Sequence, residues 1–154
     1  MGRWFFRFFW FSQRRRVYAE IAEGVILHID EISAIVVHEC IAIHRELGPG
    51  LFENVYETIL AGRLEARGLN VERQVAIPLV FDGQFFEAAY KIDILVESRL
   101  ILEIKSVEKL SKAHSRQLLT YLRIFKQPVG LLLNFSEATM VEGIRRMVND
   151  HKPE

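Results

Sequence analysis

The sequence predicts an α/β domain in which helices pack against a mixed β-sheet. Two helical patterns come first, three strand-like segments follow without a helix between them, and a helix, a strand and a last helix complete the chain. Apolar residues recur at three- and four-residue steps in the helical segments, whereas the first strands show a period of two. The predicted order is therefore α-α-β-β-β-α-β-α, with four strands.

The first two helices are predicted on either side of a sharp bend. The helical pattern covers residues 31–47, and a second one runs from residue 51 to about 68. Gly48, Pro49 and Gly50 separate the two segments, and such a run of glycine and proline ends a helix.

The strands are predicted at residues 71–81, 85–97 and 100–106, as a meander whose first hairpin turns at Asp82-Gly83. A crossover helix over 110–125 leads to a continuously apolar strand at 129–135. Because a strand–helix–strand crossover is right-handed and joins parallel strands, the fourth strand should lie beside the third. A short helix is predicted from about 139 to 148.

The length of 154 residues suits one domain, which we place at residues 17–154. Residues 1–16 are mostly aromatic and arginine, and we expect a poorly ordered extension there. The alternative is a segment that lies at a membrane interface or folds on a partner. It is too short to span a bilayer, so no stable membrane insertion is expected. The single cysteine, Cys40, predicts a reducing, cytoplasmic setting.

The charges are balanced overall but unevenly distributed. Five arginines lie in the first sixteen residues, which leaves fifteen basic against twenty acidic residues in the rest of the chain. An acidic body argues against broad electrostatic coating of nucleic acid and leaves that role to local basic patches. The predicted crossover helix carries such a patch, formed by Lys109, Lys112, Arg116, Arg123 and Lys126.

The polar residues of the second and third strands are predicted to share one face. If a two-residue loop joined these strands, Asp93 would point away from Glu103 and Lys105. The apolar rows argue otherwise, because Ile92, Ile94 and Val96 should share the core face with Leu100, Leu102 and Ile104. An odd-numbered loop or a bulge aligns these rows, and it places Asp93, Glu103 and Lys105 together on the opposite face.

Two clustered carboxylates are costly to desolvate unless a cation lies between them. Oxygen ligands without thiolate or imidazole favour Mg²⁺ or Mn²⁺, and Lys105 would then orient a water or stabilise charge on a phosphoryl group. A set of exposed ion pairs with little effect on stability explains the same residues equally well. The residues alone leave both interpretations open.

A series of motifs resembles the GxxExxY proteins, a branch of the PD-(D/E)XK nuclease superfamily. The name motif stands at residues 50–56, as Gly50, Glu53 and Tyr56 at the required spacing. The resemblance covers roughly residues 32–148. Its further segments are residues 74–79, Asp93, residues 103–105, residues 114–122 and residues 130–135.

The resemblance implies a restriction-endonuclease-like core with Asp93, Glu103 and Lys105 as signature residues. It also implies that Glu53 joins Asp93 and Glu103 as a metal ligand. Ile92 stands where the superfamily name has its proline.

The predicted crossover helix carries a polar stripe, because His114, Gln117 and Tyr121 fall at three- and four-residue steps. The resemblance implies that Gln117 and Tyr121 lie beside the metal and position phosphate or water. A capped, hydrogen-bonded surface would show the same spacing.

The function that this resemblance implies is a Mg²⁺- or Mn²⁺-dependent nuclease that hydrolyses phosphodiester bonds of DNA or RNA. The alternative is a non-catalytic module that keeps the fold and binds nucleic acid or a protein, since a fold alone does not establish an activity.

Overall fold

The computed structural model describes residues 27–150. The predicted N-terminal extension at 1–16, with its membrane-interface alternative, lies outside the described residues. Residues 17–26 and 151–154 of the predicted domain lie outside them as well.

The described residues form helices on both sides of one β-sheet. A helix of 19 residues is followed, after a bend at residues 48–52, by a second helix, and the remaining elements come in the predicted order up to the last one. The helices are α1 (Ile29–Leu47), α2 (Glu53–Glu65), α3 (Lys112–Ile124) and α4 (Met140–Gly143). The strands are β1 (Val71–Phe81), β2 (Gln84–Val96), β3 (Leu100–Lys105), β4 (Val129–Asn134) and β5 (Ile144–Val148).

The sheet is mixed and has the strand order β1-β2-β3-β4-β5. β1, β2 and β3 pair antiparallel as a meander, and β4 lies parallel to β3 after the crossover through α3. The predicted mixed sheet and its β3–β4 neighbours are confirmed. The sheet has five strands, however, rather than the predicted four.

The predicted helix over 139–148 is wrong for most of its length. Only Met140–Gly143 is helical, and Ile144–Val148 is a strand that pairs antiparallel with β4. Gly143 shows why the chain turns here, since a Cβ at this position would lie 2.0 Å from the carbonyl oxygen of Asn134. The close approach brings the next residues alongside β4, whose backbone groups on that edge require partners.

Two hydrophobic layers cover the sheet. α1 and α2 pack on one face, against Ile94, Val96, Leu102 and neighbouring apolar residues of β3 and β4. α3 packs on the other face with Leu118, Tyr121 and Leu122. Cys40 is a free thiol fully buried in the first layer.

The loop between β2 and β3 settles the register question. Val96 pairs with Leu100 and Ile94 with Leu102, so the loop has three residues, of which Glu97 and Ser98 have positive φ. This confirms the predicted odd-numbered loop. One member of the predicted apolar row is misplaced, because Ile92 packs in the α3 layer whereas Ile94 and Val96 pack under α1 and α2. β2 leaves β3 at this point and twists with β1, as two-stranded ribbons do.

β1 and β2 continue beyond the rest of the sheet as a two-stranded ribbon. Their tip is the predicted two-residue turn, in which Asp82 and Gly83 have φ of 48° and 74°. Such paired positive values match the right-handed twist of a hairpin. The tip exposes large apolar side chains, namely Val80, Phe81, Phe85 and Phe86.

Candidate active site

The candidate site lies in a fork where β2 and β3 separate. Paired residues of these strands end at Ile94 and Leu102, although β3 runs on to Lys105. Beyond that pair, the backbone N–H of Ile104 donates to Oδ2 of Asp93 over 2.8 Å. The side chain of Asp93 thus accepts the hydrogen bond of the Ile104 N–H in place of a backbone carbonyl, and it links β2 to β3 at the fork.

Glu103 and Lys105 extend from β3 on the α3 side of the sheet, the side on which Ile101 packs. The Lys105 Nζ donates to Glu103 Oε1 over 2.6 Å, and both side chains are largely buried. Glu103 Oε2 is also buried but has no hydrogen-bond partner within residues 27–150. A buried carboxylate oxygen without a donor is costly, so this atom is a natural ligand for a cation.

The charges in the fork perturb one another. Burial and the negative charge of Asp93 raise the pKa of Glu103 to about 7, although Lys105 opposes the rise. Burial likewise raises the pKa of Asp93, with further contributions from Glu57 and Glu53. Burial is the largest single influence on the pKa of Lys105 and lowers it, but the hydrogen bond with Glu103 and the negative charges of Glu103, Asp93 and Glu53 together raise the pKa above its usual value. A carboxyl group whose pKa lies near neutral pH, beside a charged ammonium group, is typical of functional sites.

Glu53 reaches the fork from the first turn of α2. Its Oε1 accepts a hydrogen bond of 3.0 Å from the backbone N–H of Ser106, which follows β3. Its charge contributes to the raised pKa of Asp93 and of Glu103. The structure therefore brings Glu53 to the same end of β3 as the other two carboxylates.

Tyr56 fixes the bend from which Glu53 extends. The Tyr56 hydroxyl donates to the Gly48 carbonyl over 2.6 Å and accepts from the Leu51 N–H over 3.3 Å. Its ring stacks on Phe135 with centroids 4.2 Å apart. Gly50 has φ of 107°, which favours glycine. The tyrosine and glycine of the name motif therefore shape the bend, and its glutamate points to the fork.

Gln117 and Tyr121 approach the fork from α3. Gln117 Nε2 donates to the Tyr121 hydroxyl. Burial raises the pKa of Tyr121, and Glu103 and Asp93 add to the rise, which places the hydroxyl within their electrostatic reach. His114, the third residue of the stripe, accepts from the backbone N–H of Ser111 and caps the helix instead. The stripe is thus divided between the site and the helix end.

Three residues near the fork were missed by the sequence analysis. Glu57 is buried one turn after Glu53 and accepts from Arg73 Nε over 2.9 Å and from Gln74 Nε2 over 2.8 Å. Gln74 has φ of 53° within β1, between the residues that pair with Ile92 and Ile94, and so lies beside Asp93 in the sheet. The signals in the sequence were the four-residue spacing of Glu53 and Glu57 and the position of Gln74 at the start of the motif segment 74–79.

Asn134 is the third missed residue. It lies beside Lys105 in the β3–β4 register and is fully buried. Its side chain accepts from the N–H of Val107 and donates to the Val107 carbonyl, which ties the loop after β3 to the end of β4. A polar residue that ends a fully apolar strand is the signal that points to it.

The fit of a metal ion rests on the donor chemistry of the fork. Oxygen donors, a buried unpaired Glu103 Oε2 and mutually repelling carboxylates suit a hard divalent cation. Within residues 27–150, no three His, Cys, Asp or Glu side chains are arranged closely enough to hold a metal as they stand. Asp93 and Glu53 each use one oxygen on a backbone N–H, so ligation requires small side-chain shifts.

A mixed sheet with carboxylates and a lysine at the fork of two central strands defines a nuclease-type α/β domain. The comparison with protein families gives the same class, since residues 30–147 match the model of the PD-(D/E)XK nuclease superfamily. The chain belongs to this superfamily. Neither a curated protein nor a solved structure matches the chain.

None of the helices within residues 27–150 is both long and apolar enough to cross a bilayer.

Proposed function

We propose that this chain is a Mg²⁺- or Mn²⁺-dependent nuclease that hydrolyses phosphodiester bonds of DNA or RNA. The observation that carries the proposal is the buried Glu103 carboxylate, which has one oxygen on Lys105 and the other without a donor in the described part of the chain. Membership of the nuclease superfamily supports nucleic acid as the substrate. We also keep the narrower assignment to the GxxExxY proteins, and the cytoplasmic location, as predictions.

Asp93, Glu103 and Glu53 would hold the ion. A divalent ion bound there would neutralise a phosphate and lower the pKa of a water nucleophile. The remaining groups suit this chemistry, because Lys105 is charged and its ammonium is fixed by Glu103. In that position it stabilises negative charge that develops on the phosphoryl oxygens.

Gln117 and Tyr121 serve as positioning groups in this proposal. The amide of Gln117 fixes the Tyr121 hydroxyl, and the charges of Glu103 and Lys105 act on that hydroxyl. A neutral hydroxyl beside the carboxylates orients a water or a phosphate oxygen by hydrogen bonding.

The direct test incubates the purified protein with labelled single- and double-stranded DNA and RNA in Mg²⁺, Mn²⁺ or EDTA. Cleavage should require the ion and should fall at least about a hundredfold in Glu103→Gln and Lys105→Ala, since the first removes a ligand of the ion and the second removes a charge that acts on the reacting phosphate. Glu65→Gln, an exposed change on α2, is the matched control and should leave the rate unchanged. Full metal-dependent cleavage by Lys105→Ala would reject the role assigned to Lys105.

The second candidate is a non-catalytic module that binds nucleic acid or a protein. The acidic balance of the chain after residue 16 favours it, because a free-standing nuclease profits from a basic surface. Calorimetry separates the two candidates. Mn²⁺ binding that disappears in Asp93→Asn counts against the module, whereas the absence of any Mn²⁺ binding favours it.

A further inference from the structure

Two exposed aromatic residues on different elements lie close in sequence to carboxylates of the fork. Phe52 directly precedes Glu53 and is 82% exposed. Tyr90 lies on β2, three residues before Asp93, and is 37% exposed. Its ring lies 5.3 Å from that of Tyr121, at an angle of 57°. Tyr90 therefore lies beside the hydrogen-bonded pair of Gln117 and Tyr121.

The stability of the fold does not explain Phe52. It occupies the N-cap position of α2 but makes no side-chain capping bond. Ser, Thr, Asp and Asn are the residues that stabilise a helix at this position. A ring that is 82% exposed also contributes little burial. The position of Phe52 beside Glu53 is therefore the feature that a function must account for.

We propose that the fork takes a single-stranded nucleic acid whose unpaired bases stack on Phe52 and Tyr90. This inference rests on the proposed nuclease function and names its substrate class. An exposed ring offers a stacking surface to any base, but only if the face of that base is free. In a duplex each face is covered by the neighbouring base pair, so two such rings at one site select an unpaired strand.

The charges around the fork favour the binding of a single-stranded nucleic acid there. α3 runs antiparallel to β3, which places its N-terminal half at the fork. Lys112 and Arg116 of that half, together with Lys91 of β2, are exposed and form no ion pair within residues 27–150. These three cations are therefore available to phosphates on either side of the cleaved bond.

The tip of the ribbon offers a contrast. Phe85 is 68% exposed there, yet residues 74–90 include Asp82 and Glu87 and no lysine or arginine. A phosphate backbone gains nothing along such a surface. The nucleic acid is thus expected to cross the fork rather than follow the β1–β2 ribbon. Phe85, an exposed aromatic residue on that ribbon, supplies a matched control.

The test measures binding of the full chain to a fluorescein-labelled oligonucleotide and to its duplex, by fluorescence anisotropy in Ca²⁺. Gel analysis of the same samples verifies that the strands are intact. The single strand should bind more tightly than the duplex, and Phe52→Ala and Tyr90→Leu should each weaken it about fivefold or more. Phe52→Trp should keep the affinity, and Phe85→Ala should not change it.

Equal or tighter binding of the duplex would overturn the inference. So would unchanged single-strand binding in both Phe52→Ala and Tyr90→Leu, or an equal loss in Phe85→Ala, which would indicate unspecific apolar contact. Tyr90→Leu keeps apolar volume against Tyr121, and thermal melting verifies that the variants are folded. DNA and RNA strands are compared in parallel to identify the sugar.

A separate cleavage assay keeps the two proposals distinguishable. Metal-dependent cleavage combined with a preference for duplex would refute the single-strand inference and leave the nuclease function intact. Selective, aromatic-dependent binding of single strands without cleavage in any metal would refute the nuclease function and support strand recognition.

Discussion

Glu103 lies buried between Asp93 and Lys105, with one carboxylate oxygen on the Lys105 ammonium and the other without a donor among the described residues. Desolvation opposes its ionisation, and so does the charge of Asp93. The folded protein without a metal therefore binds a proton at Glu103 more strongly than the unfolded chain does. A cation in the fork would reverse this preference by favouring the ionised carboxylate.

We predict that the stability of the metal-free protein falls as the pH rises from about 4.5 to about 7. The folded pKa of Glu103 lies above the unfolded value, so the folded state binds more protons in this window and loses up to about 3 kcal/mol across it. Asp93, whose pKa is also raised, contributes in the same direction. Urea unfolding in EDTA at several pH values measures this loss.

Glu103→Gln should flatten most of the dependence on pH, because the variant has no proton to lose at that position. Glu65→Gln should retain it, since Glu65 is exposed on α2. An equal slope in the Glu103→Gln protein would contradict the assignment of the effect to Glu103.

Glu57 and Glu46 allow a comparison of a buried with an exposed ion pair. Glu57 is 5% exposed and accepts from Arg73 and Gln74, whereas Glu46 pairs with Arg63 at the surface. We predict that Glu57→Gln lowers the free energy of unfolding by about 1.5 kcal/mol, because the hydrogen bonds from the exposed Arg73 and Gln74 lose the charge of their buried acceptor. Glu46→Gln should have only a small effect, because water replaces the lost partner.

The same urea experiment measures both variants. A loss in Glu46→Gln as large as that in Glu57→Gln would show that burial does not govern these pairs. Since Gln74 lies beside Asp93 in the β1–β2 register, Glu57→Gln should also weaken Mn²⁺ binding, which calorimetry detects.

At the scale of elements, the end of the chain shows how local pattern and tertiary pairing compete. Residues 139–148 have helix-like spacing, yet β5 forms because it completes the hydrogen bonding of β4. Gly143 permits the approach, since its backbone lies against the Asn134 carbonyl. The longer elements followed their patterns because hydrophobic periodicity over ten or more residues outweighs such local competition.

We predict that Gly143→Ala lowers the free energy of unfolding by at least about 2 kcal/mol, because the new methyl group must displace backbone. Gly62→Ala is the matched control. Apart from the backbone of its own helix, no atom of residues 27–150 lies within 4 Å of a Cβ there, and alanine should stabilise α2 by up to about 1 kcal/mol. Thermal or urea unfolding of the two variants should give opposite signs. A neutral Gly143→Ala would show that β5 tolerates displacement.

At the scale of the whole molecule, the carboxylate fork depends on elements distant in sequence. Glu53 comes from α2, Asp93 from β2, Glu103 from β3 and Tyr121 from α3. Closing the loops between them costs conformational entropy that the two hydrophobic layers offset. The repelling carboxylates add a further cost that a bound ion would remove.

We therefore predict that Mn²⁺ or Mg²⁺ raises the melting temperature and that EDTA reverses the rise. An ion that binds only the folded state adds about 3 kcal/mol when its free concentration is about a hundredfold above Kd. Differential scanning calorimetry of the wild type and Asp93→Asn measures the effect, which the variant should lack. Equal shifts in both proteins would place the binding elsewhere.

The sequence by itself determined the first three helices, the meander, the crossover and the odd-numbered loop between β2 and β3. These features follow from periodicity and strand parity, which are local properties of the chain. The motifs around Gly50, Glu53 and Tyr56 resemble those of the GxxExxY proteins, and the family model agrees at the level of the PD-(D/E)XK nuclease superfamily.

The tertiary structure alone decided the fifth strand, the position of Ile92 and the Glu57–Gln74 contact. It also decided that one oxygen of Glu103 has no hydrogen-bond partner among residues 27–150. Each depends on which distant segment lies alongside, and that depends on the total burial and hydrogen bonding of the fold rather than on neighbouring residues. A linear pattern specifies which face a side chain occupies. It does not specify which backbone N–H, amide or ammonium group of a distant segment will contact the side chain there.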